Sequence, residues 1–122
     1  MKPAVTIAVL STLLCGCGHR DATLAKEIVG NWARDSAFET TLSPDGSFIS
    51  HWAAPNRSLT YQGTWKIQNG SMITTITNCI ATGYTITNFE RSGSVDHFTI
   101  IRADAHDLVY SNDNQIISLN RK

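Results

Sequence analysis

Leu59-Thr60-Tyr61-Gln62-Gly63-Thr64-Trp65-Lys66-Ile67 alternates between two faces. Leu59, Tyr61, Gly63, Trp65 and Ile67 fall on one side, and Thr60, Gln62, Thr64 and Lys66 on the other. That is the two-residue period of a half-buried strand. Asn69-Gly70 follows at once, a pair that readily takes the left-handed angles of a two-residue hairpin turn. Such a turn sets Gln68 opposite Ser71, Ile67 opposite Met72, Trp65 opposite Thr74 and Gly63 opposite Ile76. Met72, Thr74 and Ile76 then share the apolar face. A lone hairpin cannot shelter such a face from water, so the chain must supply more sheet.

It does so on both sides. Asn31 to Arg34 reads as an opening strand. Phe38 to Ser43 and Ser47 to Trp52 flank the turn Pro44-Asp45-Gly46. Gly83 to Phe89 reads as a further strand, broken by Arg91-Ser92-Gly93-Ser94. His97 to Arg102 and Asp107 to Ser111 pair across Ala103-Asp104-Ala105-His106, and Asn112-Asp113-Asn114 turns into Gln115 to Arg121. The sequence thus predicts an all-β fold of about eight or nine short strands. Connections this short require antiparallel neighbours. The expected outcome is a meander that forms a small barrel or a strongly curved sheet. One short helix precedes it, over Asp21-Ala22-Thr23-Leu24-Ala25-Lys26-Glu27-Ile28-Val29-Gly30. Asp21 is placed to cap its amides, Leu24 and Ile28 share one face, and Gly30 is its expected stop. A helix this short must dock on the sheet.

The N-terminus carries a different signal. Lys2 precedes an apolar stretch from Ala4 to Leu14, too short to span a bilayer as a helix. Leu14-Cys15-Gly16-Cys17 closes it and resembles a bacterial lipobox, with cleavage between Gly16 and Cys17. The expected organisation is a lipoprotein signal peptide over residues 1–16, a lipidated Cys17 with a short tether to residue 20, and a β domain over residues 21–122. Several acyl chains on Cys17 would hold the protein to a membrane, where one chain alone binds reversibly. The tether spans at most ~14 Å, so the domain is expected to sit against the headgroups. In the enterobacterial sorting pattern this resembles, an Asp after the lipidated cysteine retains the protein at the inner membrane; Gly18 in that place points to the outer membrane, facing the periplasm. With Cys15 removed and Cys17 acylated, Cys79 is left without a disulfide partner, and its β-like surroundings read as those of a small buried hydrophobe. Ten basic and ten acidic residues balance over the whole chain. Without Lys2 the remainder is about one unit negative and has no basic stripe, which argues against nucleic acid as a partner.

Gly30-Asn31-Trp32 opens the first strand, Gly63-Thr64-Trp65 repeats its Gly-x-Trp pattern, and the last strand carries Arg121. Together with Leu42-Ser43-Pro44-Asp45-Gly46-Ser47-Phe48, these features resemble the lipocalin-like domains of small bacterial lipoproteins and, more distantly, the lipocalins. The resemblance implies that Trp32 and Arg121 close the floor of a barrel, the guanidinium lying over the indole. The middle lipocalin signature containing Thr-Asp-Tyr is absent and the chain is short, which argues against a large ligand cavity.

Tyr61, Trp65, Met72 and Ile76 either build the core or line a cavity, since an eight-stranded barrel can fill itself or hold one small ligand. Their size favours a filled interior. His51, His97 and His106 are dispersed and have no Cys nearby, so no metal site is expected. No Gly-x-Ser-x-Gly elbow or phosphate loop occurs, and Asp45, Asp104 and Asp113 sit where turns need them. No catalytic residue and no cofactor are expected. Two readings remain. One is a membrane-anchored, non-catalytic lipoprotein that binds a small apolar ligand. The other is a structural or protein-interaction module of the envelope with a filled core.

Overall fold

In the computed structural model, which describes residues 20–84 and 92–122, the Asn69-Gly70 turn has left-handed angles at both residues (φ 54° and 76°). It joins β4 (Arg57–Gln68) to β5 (Ser71–Thr82). Ile67 faces Met72, Trp65 faces Thr74 and Gly63 faces Ile76, the register that the turn dictates. Met72, Thr74 and Ile76 are buried. Beyond Gly63 the ladder slips by one residue, so that Gln62 faces Asn78. The cause lies at Gly63. A Cβ there would collide with the Thr75 carbonyl and crowd the Phe48 ring, so the close approach at this bulge needs glycine.

Six further strands complete the sheet: β1 (Gly30–Asp35), β2 (Phe38–Leu42), β3 (Ser47–Ala54), β6 (Val95–Ala103), β7 (Asp107–Asn112) and β8 (Gln115–Arg121). Each pairs antiparallel with the next. β1 also pairs with β8, Trp32 opposite Arg121 and Ala33 opposite Asn120. The result is a closed eight-stranded barrel rather than an open curved sheet, and closure removes both exposed sheet edges. The strand expected from Gly83 to Phe89 is not seen in its described part. β5 runs on to Thr82, Gly83 and Tyr84 lie outside any strand, and residues 85–89 lie outside the described residues. So do the expected signal segment, Cys17 and the tether up to residue 19.

Two expectations about β5 and the helix change. Cys79 is half-buried rather than buried. Among the described residues β6 pairs only with Ser71–Thr75, and Cys79 lies beyond that pairing. The helix, α1, spans residues 20–27, and Gly30 is the first residue of β1 rather than the helix stop. Asp21 lies within α1, and its carboxylate serves another element. One oxygen accepts the Asn69 amide at 2.8 Å and the other the Gly70 amide at 2.9 Å. Those turn amides point out of the barrel end and have no ladder partner, so a carboxylate 48 residues away satisfies them.

α1 crosses one end of the barrel, where Leu24 on it and Ile28 just after it are buried. Its start is tied to the β4–β5 turn through Asp21. Its end is tied to the opposite side through Arg121, whose guanidinium donates to the carbonyls of Glu27 (2.8 Å) and Val29 (3.0 Å). The same guanidinium donates to Ala105 (3.0 Å) and Asp104 (3.4 Å) in the β6–β7 turn. It also lies 4.2 Å from the centre of the Trp32 ring. Trp32 is fully buried and donates its indole N–H to the Ile28 carbonyl at 2.8 Å. Gly30, at φ 142°, leaves room for the guanidinium where a Cβ would strike it.

Substitution at the floor and at the bulge should therefore destabilise the barrel by different means. Trp32→Ala removes a fully buried ring and should lower unfolding free energy by about 3–5 kcal/mol in denaturant titration. Gly63→Ala adds one methyl group against backbone and should lower it by about 1–3 kcal/mol. Equal stability of Gly63→Ala and the parent would show that the bulge tolerates a side chain.

Candidate functional site

Strand parity decides what enters the barrel. Phe38, Thr40 and Leu42 of β2 point inward, as do Phe48, Ser50 and Trp52 of β3 and Asp96 and Phe98 of β6. Toward α1 the interior is filled by Leu24, Ile28, Trp32, Leu42, Trp65, Leu108 and Leu119. Toward the other end these inward residues leave a cavity of about 390 Å3. It opens opposite α1, past Trp52, Asp96 and Asn112.

The filled interior expected from the sequence is thus realised in only half of the barrel. Two features keep the other half open. The large rings pack in pairs along the wall: Phe38 on Trp52 at 4.3 Å, and Phe98 edge-on to Tyr110 at 5.3 Å. Small polar side chains also occupy inward positions. Thr40 and Ser50 face each other across β2 and β3, and their hydroxyls hydrogen-bond to one another at 2.8 Å. Thr74 is buried beside Asp96, its register partner on β6.

Of the residues proposed from sequence, Tyr61, Met72 and Ile76 line the cavity and Trp65 does not. Trp65 is buried below it. Its indole N–H donates to the Ser43 carbonyl at 3.1 Å, and its backbone N–H donates to Gly46 at 2.8 Å. Trp65 thereby fastens the β2–β3 turn to β4. Trp32 and Arg121 meet at the floor and are remote from the opening. Sequence reading missed Asp96 and Asn112. Asp96, Phe98 and Ile100 alternate with exposed residues, and β6 starts at Val95 rather than at the expected His97.

The polar groups of the wall have definite protonation tendencies. Burial pushes the Tyr110 phenol above its ordinary value, against a weaker opposite pull from Arg34, so the group keeps its O–H at neutral pH. Asp45 and Asp104 belong to turns instead. Asp45 accepts the Ser47 hydroxyl and amide, and Asp104 accepts the amides of Asp107 and His106. These bonds hold both carboxyls below their ordinary range. Their contribution is complete above that range and is lost as pH falls through the lowered values.

His51 is exposed and bonded to Thr60 at 2.8 Å across β3 and β4, while His97 and His106 lie on the outside. Among the described residues no group of three or more His, Cys, Asp or Glu side chains is arranged to hold a metal ion. No helix among the described residues is long and apolar enough to cross a membrane. The chain matches no family model, no curated protein and no solved structure.

Proposed function

We propose that this protein is a non-catalytic, lipid-anchored binding module of the bacterial envelope that holds a small, mainly apolar ligand inside its barrel. The observation that supports this reading most is the cavity of about 390 Å3. Ligand sites run from about 300 to 1,000 Å3, with apolar walls and a few polar groups. The interior has that composition: aromatic rings and aliphatic side chains, interrupted by Thr40, Ser50, Thr74, Asp96 and Asn112. The lipocalin-like resemblance of Gly30-Asn31-Trp32 and Arg121 points the same way. The cavity makes the alternative, an envelope module with a filled core, the weaker reading.

The lipobox adds orientation. With Cys17 acylated, residues 18 and 19 alone separate the lipid from α1, a reach of ~10 Å. α1 lies across the closed end, so that end faces the bilayer and the cavity opens away from it. The ligand then arrives from the aqueous side, consistent with a periplasm-facing lipoprotein of the outer membrane.

Both halves of the reading can be tested. The neutral fluorophore N-phenyl-1-naphthylamine should brighten on entering the cavity, and Ser50→Trp, which fills it, should weaken binding by at least about tenfold. Failure of the parent protein to bind this probe or to retain a co-purified small molecule in native mass spectrometry would leave the interior without a ligand role. Separately, Cys17→Ser should move the protein from the membrane fraction to the soluble fraction of the envelope. Membrane attachment undiminished in that variant would remove the lipid anchor from the account.

A further inference from the structure

The two aromatic pairs of the cavity stand on opposite walls. Phe38 and Trp52 belong to β2 and β3, Phe98 and Tyr110 to β6 and β7. In a closed barrel of eight strands in sequence order, these two hairpins face one another across the axis. Asp96 lies two residues from Phe98 on β6, and its carboxylate also lines the cavity. Among the described residues the ion pairs are Arg34–Asp35, Arg102 with Asp104 and Asp107, and Lys122–Glu39. Asp96 takes part in none of them.

A carboxylate in a cavity wall gains from a positive partner that replaces its water. The rings themselves attract cations, because the face of each carries negative charge. Aromatic rings on two walls, with one acid on the strand that carries Phe98, therefore share one preference. We propose that the cavity takes an organic cation: a quaternary or protonated ammonium on a small apolar body, with the ammonium between the aromatic pairs and next to Asp96. The proposal rests on the binding reading above and specifies its ligand class.

Arg34 is the obvious objection, since its guanidinium lies 5.3 Å from the Trp52 ring centre. It stands at the rim rather than in the cavity wall, its side chain is 44% exposed, and Asp35 lies 3.9 Å away. Asp35 offsets part of the Arg34 charge, which still reaches the Tyr110 phenol, whereas Asp96 lines the cavity itself. The position of Arg34 also shows that this aromatic wall already accepts a cation from within the chain.

Competition against bound N-phenyl-1-naphthylamine tests the idea with three probes of similar shape: phenyltrimethylammonium, its neutral isostere tert-butylbenzene, and benzenesulfonate. The ammonium should displace the fluorophore at a concentration at least about tenfold below that of tert-butylbenzene, with benzenesulfonate weakest. Asp96→Asn should bring ammonium and isostere to within about threefold of each other, and Asp96→Glu should keep the preference. Displacement by tert-butylbenzene or benzenesulfonate as effective as that by the ammonium overturns the proposal even if the variants do not fold. So does an Asp96→Asn protein that retains the full preference. In both cases the binding reading survives, because the fluorophore still enters. If the fluorophore does not bind the parent, both fall together.

Discussion

The contact between Arg121 and Trp32 decides the shape of the whole molecule. A guanidinium over an indole contributes about 0.5–2 kcal/mol by itself. Its larger effect here is topological. From the last residue of β8 it reaches carbonyls at the end of α1 and in the β6–β7 turn, up to 94 residues away in sequence. The β1–β8 pairing that closes the barrel is short, with Trp32 opposite Arg121 at its centre. The same two residues therefore close the sheet laterally and seal it axially. Gly30 is bound to this arrangement, since a Cβ there would displace the guanidinium.

Sealing one end makes the two ends unequal, and the cavity follows from that inequality. α1 is held at its start by Asp21 on the β4–β5 turn and at its end by Arg121. It delivers Leu24 and Ile28 into the space that Leu42, Trp65 and Leu119 leave. No comparable element among the described residues enters from the other side. The apolar core is thus concentrated at the floor, and the upper walls carry rings that pack on one another rather than across the axis.

Local chemistry was legible in the sequence, and long-range geometry much less so. The Asn69-Gly70 turn fixed register over six residues of β4 because turn angles and side-chain parity act on neighbours. The bulge at Gly63, which sets Cys79 opposite Tyr61 on the inner face, could not be read, because it depends on where Thr75 and Phe48 arrive in the folded sheet. Asp21 was misassigned because a cap within its own helix is the local choice, whereas the turn amides it satisfies come near only after folding. Four proposed cavity residues were separated into three that line it and Trp65 that does not. Parity gives the face, but height along the axis depends on strand tilt and on which end is plugged.

The polarity of the cavity wall has a stability argument behind it. A dry void loses about 24 cal/mol per Å3 of volume, so a cavity of about 390 Å3 left dry would forfeit on the order of 9 kcal/mol by that rate. That is comparable to the entire stability of a typical domain of this size, ~5–15 kcal/mol, and the fold has no internal disulfide among the described residues to compensate. The interior must therefore be wetted or occupied. Wetting needs polar partners, and the open end with Thr74, Asp96 and Asn112 supplies them where aliphatic residues would not. Thr40 and Ser50 already satisfy one another, which leaves Asp96 as the strongest electrostatic feature of the wall. The residues that let the barrel stand open are then the same ones that a ligand of the proposed class would meet as it displaced the water.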